Sequence, residues 1–190
     1  GELNDEDVGF CYGSSNGLLW KIWNSLYDLN LVFENTSYAI EQRKAFLKRE
    51  QFGICDVVDG DNRDKIDASD LGMQNVQLRD MLTILEQHPK VTTLIFTGGN
   101  SKNGPEYFMR KILKKANIAF DCLNDQVPRK HQFVCAGRTI TTHTLTAPSG
   151  TANRAIGSMP RYKETKFRDP NYNTLDFRVE QYGSVFLETE

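Results

Sequence analysis

The chain has 190 residues, 39% of them apolar and 25% charged, which suits one globular domain spanning residues 1–190 with a sizeable core. No apolar run approaches a membrane span and the opening Gly1-Glu2-Leu3-Asn4-Asp5-Glu6-Asp7 is acidic, unlike a secretory leader, so a cytoplasmic location is expected, and a monomer is expected beside it. Cys11, Cys55, Cys122 and Cys135 form no C-x-x-C pair, so neither a zinc knuckle nor an iron–sulfur cluster is supported, and no metal or cofactor is expected.

Residues 10–20 read F-C-Y-G-S-S-N-G-L-L-W. Phe10 and Tyr12 precede a flexible turn, Ser14 or Ser15 is placed to cap a helix, and Leu18, Leu19, Ile22, Trp23 and Leu26 form its apolar stripe. A second helix is expected from Asn35 or Thr36 to Glu50. Gln51–Asp59 reads as a buried strand running into the polar loop Gly60–Asp64, and Asp67-Ala68-Ser69-Asp70 reads as a cap. Val76, Leu78, Met81, Leu82 and Leu85 keep helical spacing until His88-Pro89. Val91–Thr97 is the clearest strand, followed by Gly98-Gly99-Asn100-Ser101 and a helix from about Pro105, a residue suited to a first helical turn.

Ile118–Leu123 is β-like and leads through a Pro/basic loop into Arg138–Thr144, a strand rich in β-branched threonines. Leu145-Thr146-Ala147-Pro148-Ser149-Gly150 stops that strand, and Thr151–Ile156 is placed to open a helix. Gly150 is read as supplying a backbone conformation closed to other residues. A strand, a small Pro/Ser/Gly loop and a helix start form the corner at which α/β proteins bind anions, although an ordinary β–loop–α corner has the same pattern. After Pro160 the tail has a turn at Asp169–Asn173, and Phe177, Val179, Tyr182, Val185 and Phe186 predict that it packs back. Strands alternating with helices predict an α/β fold with a mainly parallel sheet.

The net charge of −2 hides an uneven distribution. Residues 1–99 carry 9 basic and 16 acidic side chains, residues 100–168 carry 13 and 4, and residues 169–190 carry 1 and 5. A basic middle segment in an acidic chain is an electrostatic footprint for a polyanion. Arg110, Lys111, Lys114 and Lys115 can simply solvate a helix, whereas Arg129, Lys130, Arg138, Arg154, Arg161, Lys163, Lys166 and Arg168 lie in looser segments.

Taken together, three pieces resemble the uracil-DNA glycosylase superfamily, most closely its mismatch-specific and hypoxanthine-acting branches. Phe10–Trp20 is similar to the family's aromatic-x-aromatic turn, Asn and Trp helix. Phe52-Gly53-Ile54-Cys55-Asp56-Val57-Val58, with Arg63 and Asp67–Asp70, resembles its G-I-x-x-x-D-V strand and R…S-x-D loop. Leu145–Asn153 resembles its L-P-S-P-S-P-A-N DNA-binding loop, with Thr146, Ala147 and Gly150 standing where Pro, Ser and Pro are usual. The resemblance covers roughly residues 9–160. The family's upstream G-x-x-P loop has no counterpart in this sequence.

The resemblance implies a three-layer α/β/α sandwich around a central, mainly parallel sheet of four to five strands. It implies a DNA repair glycosylase that flips out a deaminated base, uracil or hypoxanthine, and hydrolyses its N-glycosidic bond. Asn16 would position the water or the base, Phe10 or Tyr12 would stack on the flipped base, and Asn100 would read a base edge. Ser149, Gly150 and Thr151 would hold a DNA phosphate, and Arg154 would contact the backbone. From the residues alone, Asn16 serves equally as a turn residue, Phe10 and Tyr12 as core, and Asn100 as a loop cap, while His143 is read as structural. Two alternatives stay open: a glycosylase-fold protein that binds nucleic acid without catalysis, and a small-molecule α/β enzyme with a generic anion site.

Overall fold

A computed structural model describes residues 3–63, 73–99 and 101–187. The chain groups into two compact units, one formed by Gly1–Ile54 with Pro148–Glu190 and the other by Cys55–Ala147.

The discontinuous unit is helical. Helix α1 (Leu19–Tyr27) buries Leu19, Ile22 and Trp23 of the expected stripe together with Trp20 beside it, while Leu18 and Leu26 are half-buried. Its N-cap is Leu18, without a side-chain cap bond, so neither Ser14 nor Ser15 caps it. Thr36 does cap α2 (Ser37–Glu50), accepting from the Ala39 N–H at 3.2 Å. Further along come a 3-10 turn (Gly150–Ala152), α5 (Asn153–Ser158), α6 (Pro160–Arg168) and α7 (Thr174–Phe186). Asn173 and Asp176 form a reciprocal capping box at the start of α7.

The tail does pack back, since Phe177, Tyr182 and Phe186 are buried. Trp23 is the hub of the aromatic core, with ring centroids 4.8 Å from Trp20, 5.3 Å from Phe46, 6.0 Å from Phe52 and 5.7 Å from Phe186. Such ring pairs contribute about 0.5–1.5 kcal/mol each beyond the area they bury. Arg43 is fully buried beside them, 5.5 Å from the Trp20 ring and 5.0 Å from Phe33, and donates to the Val32 and Ala39 carbonyls at 3.0 Å each.

The continuous unit carries the sheets. Strand β1 (Val58–Arg63) pairs antiparallel with β2 (Met73–Leu78). The strand expected at Gln51–Asp59 is therefore displaced toward the acidic stretch, and the helical reading of Val76 and Leu78 gives way to a strand. The cap expected at Asp67–Asp70 lies outside the described residues. Helix α3 (Met81–Gln87) then starts at Asp80, whose side chain accepts from the Thr83 N–H at 3.1 Å.

The second sheet has the order β3 (Thr93–Phe96), β6 (Arg138–Thr144), β5 (Arg129–Cys135), β4 (Asp121–Asn124), with α4 (Pro105–Lys115) between β3 and β4. Only β3–β6 is parallel, while β6–β5 and β5–β4 are antiparallel. The α/β class holds, but the sheet is mixed and mostly antiparallel rather than mainly parallel. The expected Pro/basic loop before Arg138 is strand β5, and it turns this part of the sheet into a meander. Alternation along β5 and β6 buries one face, where Phe133, Cys135 and Ile140 pack with Met81 and Leu85 of α3 and Met109 and Leu113 of α4.

Candidate functional site

The Phe10–Trp20 turn and the Pro148–Asn153 part of the loop fall in the discontinuous unit, and the structure joins them. The Phe10–Trp20 turn is tight. Val8 N–H donates to the Gly13 carbonyl at 2.7 Å and Gly13 N–H to Phe10 at 3.0 Å, with Tyr12 between them at φ 57°. A Cβ on Gly13 would lie 1.9 Å from the Val8 oxygen, so only glycine fits there. Asp7 buttresses the turn by accepting from Ser15 N–H at 2.6 Å and Asn4 N–H at 3.0 Å, and these bonds hold its carboxyl below the usual range. The Trp20 indole donates to the Cys11 carbonyl at 2.8 Å, and the Lys21 ammonium donates to Ser15 at 3.1 Å. Thus α1 and the turn are fixed to each other by two different kinds of donor, an indole and an ammonium.

The turn meets the loop through Leu18 N–H, which donates to the Pro148 carbonyl at 3.0 Å. Beyond Pro148, the Ser149 and Thr151 hydroxyls lie 2.7 Å apart. Arg178 of α7, fully buried, donates to the Ser149 carbonyl at 2.6 Å and to Asn153 Oδ1 at 2.8 Å. Burial lowers the Arg178 pKa, and burial likewise pushes the neighbouring Tyr182 hydroxyl far above its ordinary range, with Arg178 opposing and Tyr12 adding to that rise. Tyr182 thus lies within electrostatic range of both Tyr12 of the turn and Arg178, the residue that holds the loop.

Asn16, Tyr12, Gly150, Thr151 and Arg154 are exposed, and Phe10 and Ser149 are half-buried. Phe10 leans on Trp20 with ring centroids 6.1 Å apart, which leaves part of its face toward water. The Asn16 N–H lies 3.4 Å from the Ser14 hydroxyl, so its backbone serves the turn while its side chain stays outside. Gly150 corrects its expectation: its φ is not in the left-handed region, and a Cβ would meet nothing within 4 Å. Asn100 lies outside the described residues. His143 is half-buried on β6.

Sequence reasoning passed over Arg178, the single basic residue of the acidic tail, and Asp7. It also passed over a buried ionic cluster in the continuous unit. Glu106, fully buried in the first turn of α4, lies 3.0 Å from Arg129, 3.6 Å from Arg110 and 3.7 Å from His131 Nδ1, and accepts from the Thr144 hydroxyl at 3.0 Å. Burial lowers the pKa of His131, opposed by Glu106 and aided by Arg110 and Arg129. Among the described residues no cluster of three or more His, Cys, Asp or Glu is arranged to hold a metal ion, and no helix is long and apolar enough to cross a membrane.

Comparison with known protein families, curated proteins and solved structures finds no match.

Proposed function

We propose that the chain is a monofunctional DNA glycosylase acting on a deaminated base, built on a uracil-DNA glycosylase-like three-layer α/β/α fold. The observation that carries this reading is the hydrogen bond from Leu18 to Pro148, which ties the aromatic turn to the Pro/Ser/Gly loop across about 130 residues of sequence in one compact unit. Those are the two segments that a base-excising site needs side by side. Gly150 adds support. Nothing in the fold requires a glycine there, and the absence of a side chain leaves the loop backbone open to a phosphate.

In this reading a nucleotide leaves the stack and its base lies against Phe10 or Tyr12. Ser149, Thr151 and the Gly150 backbone hold the adjoining phosphate, and Arg154 contacts the strand. The Asn16 carboxamide orients a water molecule or the base edge. The water oxygen bonds to the sugar C1′ as the C1′–N bond breaks, and the bond's electron pair leaves with the base. The water gives up a proton and the departing base takes one up. A carboxamide is a poor base, so rate rests on position and on stabilising the leaving charge.

The test uses single-stranded and duplex oligonucleotides holding uracil or hypoxanthine, followed by alkali. Strand breaks at the lesion are expected, with Asn16→Ala lowering kcat about 10²- to 10³-fold, as loss of one positioned donor does elsewhere. No abasic product from any deaminated base overturns the reading. Salt-sensitive DNA binding without product would select a catalytically silent relative instead.

A further inference from the structure

Helix α6 is not used by the site described above. It follows the Pro148–Arg154 loop in the same unit, and none of its residues is buried. One side is firmly held. Tyr162 lies 5.7 Å from the Tyr172 ring and 6.1 Å from Phe177, and the Lys166 ammonium donates to the Pro170 and Tyr172 carbonyls at 2.8 Å each. At 100° per residue, the opposite side presents Phe167, Glu164 and Arg168, with Lys163 and Arg161 at its two edges. Phe167 is 89% exposed, more than any other large apolar side chain among the described residues. Packing within the unit accounts for Tyr162 and Lys166, but not for a bare phenyl ring set among cations.

We propose that this outward face of α6 binds an unpaired stretch of nucleic acid, with Phe167 stacking on a base and Lys163, Arg168 and Arg161 pairing with phosphates. The choice of partner follows from the chemistry. Three basic residues outside the held side against the single Glu164 call for a polyanion, and an isolated exposed ring among them calls for a polyanion that carries flat π faces at phosphate spacing. A membrane surface would require a wider apolar stripe than one phenylalanine. An acidic peptide would satisfy the cations and leave the ring unused. The Arg161–Glu180 contact is long, at 3.9 Å, and both groups are exposed, so it yields readily to a phosphate. The surface extends strand contact beyond the flipped nucleotide and favours single-stranded over fully paired DNA.

The test is fluorescence anisotropy with an undamaged, mixed-sequence single-stranded oligonucleotide, titrated with salt, using the whole chain. Phe167→Ala is expected to weaken binding roughly fivefold or more while leaving the salt slope unchanged, and Phe167→Trp to restore it. Lys163→Gln with Arg168→Gln is expected to reduce the log–log salt slope by about 0.7 for each phosphate that is no longer neutralised. A blunt, fully paired duplex should be less sensitive to Phe167→Ala. All these side chains are exposed, so matched thermal melts confirm that folding is intact. Unchanged affinity for Phe167→Ala together with an unchanged slope for the paired variant overturns the proposal, as does failure of the unaltered chain to bind. Undamaged DNA needs no excision, so this outcome is independent of whether abasic product forms in the glycosylase assay.

Discussion

Glu106 is the most consequential single side chain in the continuous unit. It is fully buried, accepts from the Thr144 hydroxyl at 3.0 Å and faces Arg129 at the same distance, with Arg110 at 3.6 Å. Glu106→Ala would leave two guanidinium groups facing a cavity and strip Thr144 of its acceptor. Breaking a buried ion pair from one side costs about 3–5 kcal/mol. Here the lower end, about 3 kcal/mol, is expected, because the Arg129 and Arg110 side chains are 28% and 38% exposed and can recover some hydration. Glu106→Gln keeps the shape and an acceptor for Thr144, so about 1–2 kcal/mol is expected. Thr144→Val loses a charge-assisted hydrogen bond, about 1.5–3 kcal/mol in the native background, and much less once residue 106 is Ala. Urea unfolding followed by circular dichroism gives the four corners of the cycle. Amide exchange along β5 and β6 reports whether the loss falls where the cluster sits. An Ala variant within about 1 kcal/mol of the native chain, or an additive cycle, would refute the reasoning.

Three further outcomes follow from the same geometry. Gly150→Ala should leave stability within about 0.5 kcal/mol, because the new methyl group meets open space, yet should weaken binding of lesion DNA; matched melting and binding titrations check it. Arg178→Met should cost about 2–3 kcal/mol by leaving the Ser149 carbonyl and Asn153 Oδ1 without their donor, and a urea cycle with Asn153→Ala should show coupling. His131 is held neutral by burial, so below about pH 6.5 the unfolded chain takes up a proton that the folded chain refuses. Stability should therefore fall as pH drops from about 6.5 toward the depressed folded pKa, with no contribution from this group above that window, and His131→Gln should flatten the slope in pH-dependent urea titrations.

What was legible in the sequence was what local chemistry decides. Thr36 caps α2, Pro105 opens α4, and Leu19, Ile22 and Trp23 of the α1 stripe are buried as their spacing predicts. Strand β5 was hidden because Arg129 and His131 look like surface residues; they point inward only because Glu106, far back along the chain, meets them there. The β5–β6 hairpin was hidden too. Its turn places Ala136 and Gly137 at φ 51° and 75°, and alanine is an unusual occupant of a position that ordinarily signals itself with Asn or Asp. Without that hairpin, alternating strands and helices read as parallel crossovers. Of the site, the turn and loop were legible because Gly13, Pro148 and Ser149 shape the backbone directly. Arg178 was not, since its partners lie 25 and 29 residues earlier.

The basic middle segment gains meaning once its charges are sorted by what they touch. Arg129 and Arg110 are engaged with Glu106. Arg138 is spent on backbone, donating to the Val91, Leu85 and His88 carbonyls at 2.7, 2.8 and 2.9 Å. Lys166 staples the end of α6. Charges fixed this way stabilise the fold and add little to a surface field that salt can screen. In the discontinuous unit this leaves Arg154, Arg161, Lys163 and Arg168, all exposed and within fifteen residues of one another, directly after the loop that Arg178 holds in place. Those four share one short run directly after the loop, while Lys102, Lys111, Lys114, Lys115 and Lys130 lie exposed in the continuous unit. Neutralising Arg154 and Lys163 should therefore reduce the salt dependence of DNA binding, whereas neutralising Lys111 and Lys114 on α4 should leave it nearly unchanged. Equal effects from the two pairs, measured by the same salt titration, would return the basic segment to simple solvation of helix faces.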